Sequence, residues 1–239
     1  MQVISWSHSK LVDFERCKQA FKLKHIDRIP EPERPLPPGK TEHANDRGTR
    51  VHDECERYVR GETHELTDEA EKHFGPQIDL LRVLYAEGKV SLEGEWGLNE
   101  AWESVPWKSA WLRMKLDAMV HWSKCQATVI DYKTGRKFGN EIKHAEQMQI
   151  YAIGAFMRYP ELEIVEVELW YLDQNEVTRM RFTRAQALRF KPTYHKRGAA
   201  ITGCTEWKPN PSYVTCQWCQ YGPWNGGQCQ VGVRPPGKK

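Results

Sequence analysis

The 239-residue chain sets 35 Lys plus Arg against 32 Asp plus Glu, a formal net charge of +3. That balance excludes a polycation that coats nucleic acid by bulk charge, while leaving room for a local basic groove. Apolar residues make up 39% of the chain and include 10 Trp, too many for a disordered chain, and no apolar run approaches the ~20 residues needed to span a bilayer.

The opening MQVISWSHSK has no apolar signal core, so a cytoplasmic protein with reduced thiols is expected. Residues 7–25 place Leu11, Phe14, Cys17, Phe21 and His25 at helical spacing behind Ser7 or Ser9 as cap. The stretch 29–39 holds five prolines in eleven residues and reads as an extended connector. Helices are predicted over 46–60 and over 67–87, the latter with Phe74, Ile78, Leu81 and Tyr85 on one face. The period then shortens, and strands are expected at 90–98, 112–122 and 126–132, with WSKC at 122–125 as the turn between the last two. A helix over 141–158 follows, then strands at 163–173 and 176–183, then a helix over 184–201 that Pro192 must start, end or kink. From residue 203 the chain is rich in Pro, Gly and Cys and has little periodicity. This order predicts an α/β fold, a mixed central sheet flanked by helices, with 203–239 as a Cys-rich tail on a single domain spanning 1–239.

Two neighbouring strands each carry one acid, Asp117 and Asp131, in apolar surroundings. Asp131 and Lys133 are two apart, so they project from the same strand face, and a hairpin pairing brings Asp117 close to them. Two carboxylates held together repel unless a cation or proton intervenes, and oxygen donors suit Mg²⁺ or Mn²⁺. Lys133 could then orient or deprotonate an attacking water, or offset charge developing on a phosphate. A plain Asp131–Lys133 salt bridge is the alternative that the short pattern alone favours. His52 falls on a predicted helix, and Gln147 and Tyr151 at i, i+4 share one face of another.

RGTRVH at 47–52, KLDAMV around Asp117, VIDYKTG around Asp131 and Lys133, and QMQIY at 147–151 resemble, in that order, the RecB/Cas4-like exonuclease branch of the PD-(D/E)XK nuclease superfamily. SHSKLVDFERCKQAFKLKHI resembles the N-terminal helix of that branch, which includes many phage-encoded exonucleases. The resemblance implies a restriction-endonuclease-like core in a phage-encoded, Mg²⁺- or Mn²⁺-dependent DNA exonuclease. It also implies His52, Asp117, Asp131 and the backbone carbonyl of Tyr132 as metal ligands and Lys133 as the catalytic lysine. Gln147 and Tyr151 would position the lysine, the metal shell or the DNA backbone. Glu95, with Glu93 as a neighbouring alternative, sits where some relatives place a further acid.

Cys216, Cys219 and Cys229 form a Cys-x2-Cys followed by nine residues and a third Cys. Such a turn aims two sulfurs at one ion, which points to metal ligation. Either Cys204 closes a local four-thiolate zinc site, or Cys17 ties the N-terminal helix to the tail. The resemblance implies the second arrangement around a [4Fe–4S] cluster with a structural role, although nine residues before Cys229 exceed the spacing common in that branch. Gly226 and Gly227 would let the longer loop fold tightly. Cys55, Cys125 and Cys204 then read as ordinary thiols.

For DNA, Lys10, Lys18, Lys22, Lys24, Arg136 and Lys137 are candidates for a basic path. Trp96, Trp102, Trp107 and Trp111 could stack on unpaired bases, although core packing is the plainer reading. Expected partners are DNA with a free end or single-stranded segment and recombination or replication proteins, with no membrane. An inactive, cluster-containing nuclease-like module that binds DNA beside a helicase or recombinase is the alternative function.

Overall fold

Ala127–Tyr132 is buried along its whole length, on both strand faces, as a central strand covered by helices on both sides must be. The computed structural model describes residues 3–234 and 236. Its helices are α1 (His8–Arg16), α2 (Lys18–His25), α3 (Ala44–Val59), α4 (Asp68–Ala86), α5 (Glu141–Arg158), α6 (Arg184–Leu188), α7 (Lys191–Thr202) and α8 (Tyr213–Cys216). The strands β1 (Val90–Leu98), β2 (Ser104–Val105), β3 (Leu112–His121), β4 (Gln126–Lys133), β5 (Ile164–Tyr171) and β6 (Glu176–Thr183) form one sheet of order β2-β1-β3-β4-β5-β6. The chain divides into two units, Pro38–Tyr194 and Met1–Pro37 with His195–Lys239.

In the unit Pro38–Tyr194, neighbouring strands are antiparallel except β4 and β5, which run parallel and are joined through α5. The sheet is mixed and flanked by helices, as the element order predicts. On one face, Val51, Cys55 and Val59 of α3 and Phe74, Ile78 and Leu81 of α4 pack against Ala118, Val120, Ile130, Tyr132 and Trp170. Phe74 stacks on Trp170 with centroids 5.3 Å apart. Each of the buried Val, Ile, Leu and Phe side chains contributes roughly 1.5–3 kcal/mol over its exposed state. The later part of α5 is buried all round, from Ile150 to Phe156, and the helix packs against β5, β3 and α6. Edge strand β6 carries Arg179 and Arg181, charges that discourage edge-to-edge pairing.

In the other unit, the single helix expected over 7–25 is two helices. Cys17 lies between them in extended conformation, φ −163° and ψ 111°, as C-cap of α1 and N-cap of α2. The break lets Phe14 and Phe21 meet edge to face with centroids 5.4 Å apart, whereas seven residues of straight helix would separate them by about 10.5 Å. Trp207 stacks on Phe21 at 5.9 Å. Asn210 Nδ2 donates to the Arg16 carbonyl and the Tyr221 hydroxyl to that of Ile29.

The helix expected over 184–201 also divides, into α6 and α7, and Pro192 falls in the first turn of α7, where its missing N–H leaves no intrahelical bond unmade. No described helix is long and apolar enough to cross a membrane.

Candidate active site

The site forms where β3 and β4 part. Their paired register runs from His121–Ala127 to Ala118–Ile130. One step beyond, the Tyr132 N–H donates to Asp117 Oδ2 at 2.5 Å instead of to a β3 carbonyl. N–H and C=O of one strand residue project to the same side, so the Tyr132 carbonyl faces the same gap. On its other side β4 stays paired with β5 as far as Lys133–Tyr171.

Asp131 is 5% exposed and its two oxygens have different surroundings. Oδ1 accepts from Gln147 Nε2 at 3.2 Å and lies 2.7 Å from the Tyr151 hydroxyl. That hydroxyl also lies 2.6 Å from the Lys115 carbonyl and accepts from Gln147 Nε2 at 2.8 Å, so its one proton serves either Asp131 or Lys115. Oδ2 lies 2.5 Å from Lys133 Nζ, but the approach is poorly aligned and leaves this buried atom without a hydrogen bond. Lys133 Nζ donates instead to Gln147 Oε1 at 2.9 Å. One amide on α5 therefore holds both members of the Asp131–Lys133 pair. Burial, followed by the Asp131 charge, pushes the Tyr151 phenol well above its ordinary pKa, so it remains a proton donor.

From α3, His52 Nδ1 reaches Asp117 Oδ1 at 2.8 Å. Burial is the largest influence on Asp117 and raises its pKa. The Asp131 charge adds to that, while the His52 hydrogen bond and the Tyr132 N–H oppose it. Burial alone would lower the His52 pKa, but the hydrogen bond and charge of Asp117, with Asp131 adding, hold it above the ordinary value. Arg47 fixes the start of α3: its guanidinium donates to both Asp173 oxygens, at 2.9 and 2.7 Å, and to the Thr134 carbonyl at 3.2 Å.

The structure thus brings His52, Asp117, Asp131, Tyr132, Lys133, Gln147 and Tyr151 into one constellation. Glu95 is exposed and stands opposite Lys115 in the β1–β3 register, on the neighbouring strand. The side chain of Glu93 lies outside the described residues. Arg47 belongs to the RGTRVH segment, but no spacing rule marks it as the anchor of two loops. His144, one turn before Gln147 on α5, is the other residue sequence reasoning passed over. Its Nδ1 lies 2.7 Å from the Tyr171 hydroxyl, and burial, then the Lys133 and Lys143 charges, lower its pKa to about 4.

Trp96, Trp102 and Trp111 are core residues with 3–7% exposure, which removes them as base-stacking surfaces; Trp107 is half-buried. Much of the expected basic path is locally engaged. Lys22 pairs with Asp27, Lys24 with Glu31 and Asp13, and Lys137 with Glu176. Lys10 donates to the Ser5 carbonyl and Lys18 sits over the Phe14 ring. Arg136 is exposed.

All seven cysteines are free thiols. Cys17, Cys216, Cys219 and Cys229 line one hollow with Ala20, Leu23 and Tyr221, whereas the Cys204 thiol donates to the Glu206 carbonyl at 3.2 Å. Burial raises the Cys219 pKa, and the nearby Cys229 and Cys17 sulfurs add to it. Gly226 turns the chain at φ 77°. At Gly227 a Cβ would lie 2.3 Å from the Tyr221 backbone.

Among the described residues, no three His, Cys, Asp or Glu side chains already stand grouped to hold a metal ion. The chemistry of the donor sets fits nonetheless. Asp131 Oδ2 is a buried acceptor without a hydrogen bond, beside a second carboxylate and a backbone carbonyl, which are hard donors suited to Mg²⁺ or Mn²⁺. Four thiols around one hollow suit iron or zinc.

A family model described as the PD-(D/E)XK nuclease superfamily matches residues 5–224. Among solved structures, a candidate exonuclease from Eubacterium rectale is similar with TM-score 0.48 and 11% identity, over 97% of this chain and 90% of its own. An alkaline exonuclease from Laribacter hongkongensis is similar with TM-score 0.34 and 12% identity, over 84% of this chain and 88% of its own. No curated protein matches the chain.

Proposed function

We propose that this chain, which belongs to the PD-(D/E)XK nuclease superfamily, is a metal-dependent DNA exonuclease that processes ends in recombination or repair. The observation that carries the reading is the placement of Lys133 Nζ between Asp131 Oδ2 and Gln147 Oε1, beside Asp117 in the gap between β3 and β4. A simple salt bridge at a strand end would need neither the glutamine nor the second, partly buried acid.

Asp117, Asp131, the Tyr132 carbonyl and His52 would hold Mg²⁺ or Mn²⁺, with Glu95 as an outlying candidate. When bound, such an ion polarises a phosphodiester and lowers the pKa of an attacking water. The protein groups have separate tasks. Tyr151 and Gln147 surround Asp131 Oδ1, so Oδ2, which faces the Lys133 ammonium at 2.5 Å, is the oxygen that would turn to a metal. Lys133, kept in place by Gln147, presents its ammonium to the reacting phosphate, where it offsets developing charge and orients the water. Cys17, Cys216, Cys219 and Cys229 would hold a [4Fe–4S] cluster, or zinc in its place, as a structural staple for a tail with little core of its own.

The test is digestion of end-labelled linear oligonucleotides and a circular control with Mg²⁺ or Mn²⁺, comparing the native chain with Asp131→Ala and Lys133→Ala. Metal-dependent loss of ends by the native chain alone is expected. Equal activity in all three would refute the catalytic assignment, and equal cutting of circles would refute the exonuclease assignment.

A further inference from the structure

The turn that leaves β4 directly after Lys133 carries an aromatic ring that no described residue covers. Phe138 is 89% exposed and Ile142, at the start of α5, is 81% exposed. Single exposed apolar residues are common on protein surfaces, but this pair lies on a segment that is tied down. The Thr134 carbonyl accepts from Arg47. The Lys137 N–H donates to Gln174 Oε1, and Lys137 Nζ pairs with Glu176 at 2.9 Å. The Asn140 N–H donates to the Lys137 carbonyl and its side-chain amide to that of Arg136, closing the turn beneath Phe138. Arg136, next to Lys137, is exposed and has no ion-pair partner among the described residues.

We propose that Phe138 stacks on an unpaired base of the DNA strand whose phosphodiester lies at Asp131 and Lys133, with Arg136 facing the neighbouring backbone. This rests on the nuclease reading of that site. Phe138 is five positions beyond Lys133, so their α-carbons are at most about 17 Å apart, and a strand threaded past the acids passes within reach of the ring. A flat π face beside a cation available for phosphate matches a nucleobase, and such stacking tolerates any sequence. Bases inside a duplex show no free face, so the site selects a single-stranded or frayed end.

The test uses the full chain in EDTA, so that binding is read without cleavage. Single-stranded oligonucleotides carry 2-aminopurine, whose fluorescence falls on stacking, at successive positions from either end. The native chain is expected to quench the probe most strongly at one position. Phe138→Ala should lose that quenching and bind about tenfold more weakly, the order of one lost aromatic–base stack, whereas Phe138→Trp should retain both. An exposed ring contributes little to folding, and an unchanged melting midpoint for Phe138→Ala checks this. Binding and quenching by Phe138→Ala equal to the native chain would overturn the proposal, as would absence of oligonucleotide binding by the native chain. Failure of the nuclease reading shows separately, as no cleavage of the same oligonucleotides once Mg²⁺ or Mn²⁺ is restored.

Discussion

His52 Nδ1 on α3 lies 2.8 Å from Asp117 Oδ1 on β3, tying a helix to the sheet at the mouth of the strand gap. The histidine pKa is raised above 6.5 by Asp117 and Asp131 against the effect of burial and of Lys133. A raised folded-state pKa means that the folded chain holds the proton more tightly than the unfolded one. Stability from this group is therefore complete below pH 6.5 and is lost as pH climbs through the folded value. Half-buried His144 acts in the opposite sense: with its pKa lowered to about 4 from 6.5, it favours folding increasingly as pH rises from 4 to 6.5. Chelated protein should therefore be most stable near pH 6.5 as far as these two groups decide it. Urea denaturation from pH 4 to 9 measures the profile. His52→Gln should flatten the alkaline limb and leave the acid limb in place, and an unaltered alkaline limb would contradict the assignment.

Gln147 reaches Lys133 Nζ at 2.9 Å and Asp131 Oδ1 at 3.2 Å. Gln147→Ala should lower kcat by about 10- to 100-fold, as loss of partners that orient reacting groups does, with little change in KM. Gln147→Glu puts an acceptor where the amide donates to Asp131 and adds a third carboxylate, so the pH–rate profile should move to higher pH. A rise in KM alone would make Gln147 a substrate contact, and unaltered kinetics would remove it from the site.

Much of this arrangement was legible in the chain itself, for a physical reason. Asp131 and Lys133 share a face because strand period is two, and Gln147 and Tyr151 share one because helix period is 3.6. Such rules place residues within one element. They do not say that Gln147 would hold both Asp131 and Lys133, or that Asp117 would take the Tyr132 N–H where β3 leaves β4, because those contacts depend on how elements meet. The break at Cys17 was hidden for a related reason: its apolar spacing is that of an unbroken helix, and only the packing of Phe14 on Phe21 shows what interrupts it. Arg47 was illegible because its partners, Thr134 and Asp173, lie 87 and 126 residues away.

Cys17 lines the hollow of Cys216, Cys219 and Cys229, and Cys204 does not. Protein purified without oxygen should be brown, with thiolate-to-iron absorption and about four irons per chain. Cys17→Ser should lose colour and iron and melt at lower temperature, while Cys204→Ser keeps all three. Colourless protein with bound zinc would keep the ligand set and replace the ion. Loss of metal in Cys204→Ser but not in Cys17→Ser would replace the fourth ligand.

Gly227 offers a test of the tail that is independent of any metal. A Cβ there would lie 2.3 Å from the Cα and carbonyl carbon of Tyr221. Those are backbone atoms of a residue whose ring is 2% exposed and whose carbonyl accepts from the Cys229 N–H at 2.7 Å. Neither side can yield without moving Cys229, so Gly227→Ala should cost at least the upper part of the about 1–3 kcal/mol typical of overpacking. Gly226 is the control. Its φ of +77° strains a side chain, but a Cβ there meets only Pro32 at 3.9 Å, an ordinary contact, so Gly226→Ala should cost about 1–2 kcal/mol. Limited proteolysis of the metal-free chain, which reads the population of open tail, ranks the two. Cleavage beyond residue 203 should be fastest in Gly227→Ala, intermediate in Gly226→Ala and slowest in the native chain. A Gly227→Ala tail as resistant as the native one would mean that the close approach to Tyr221 does not hold in solution.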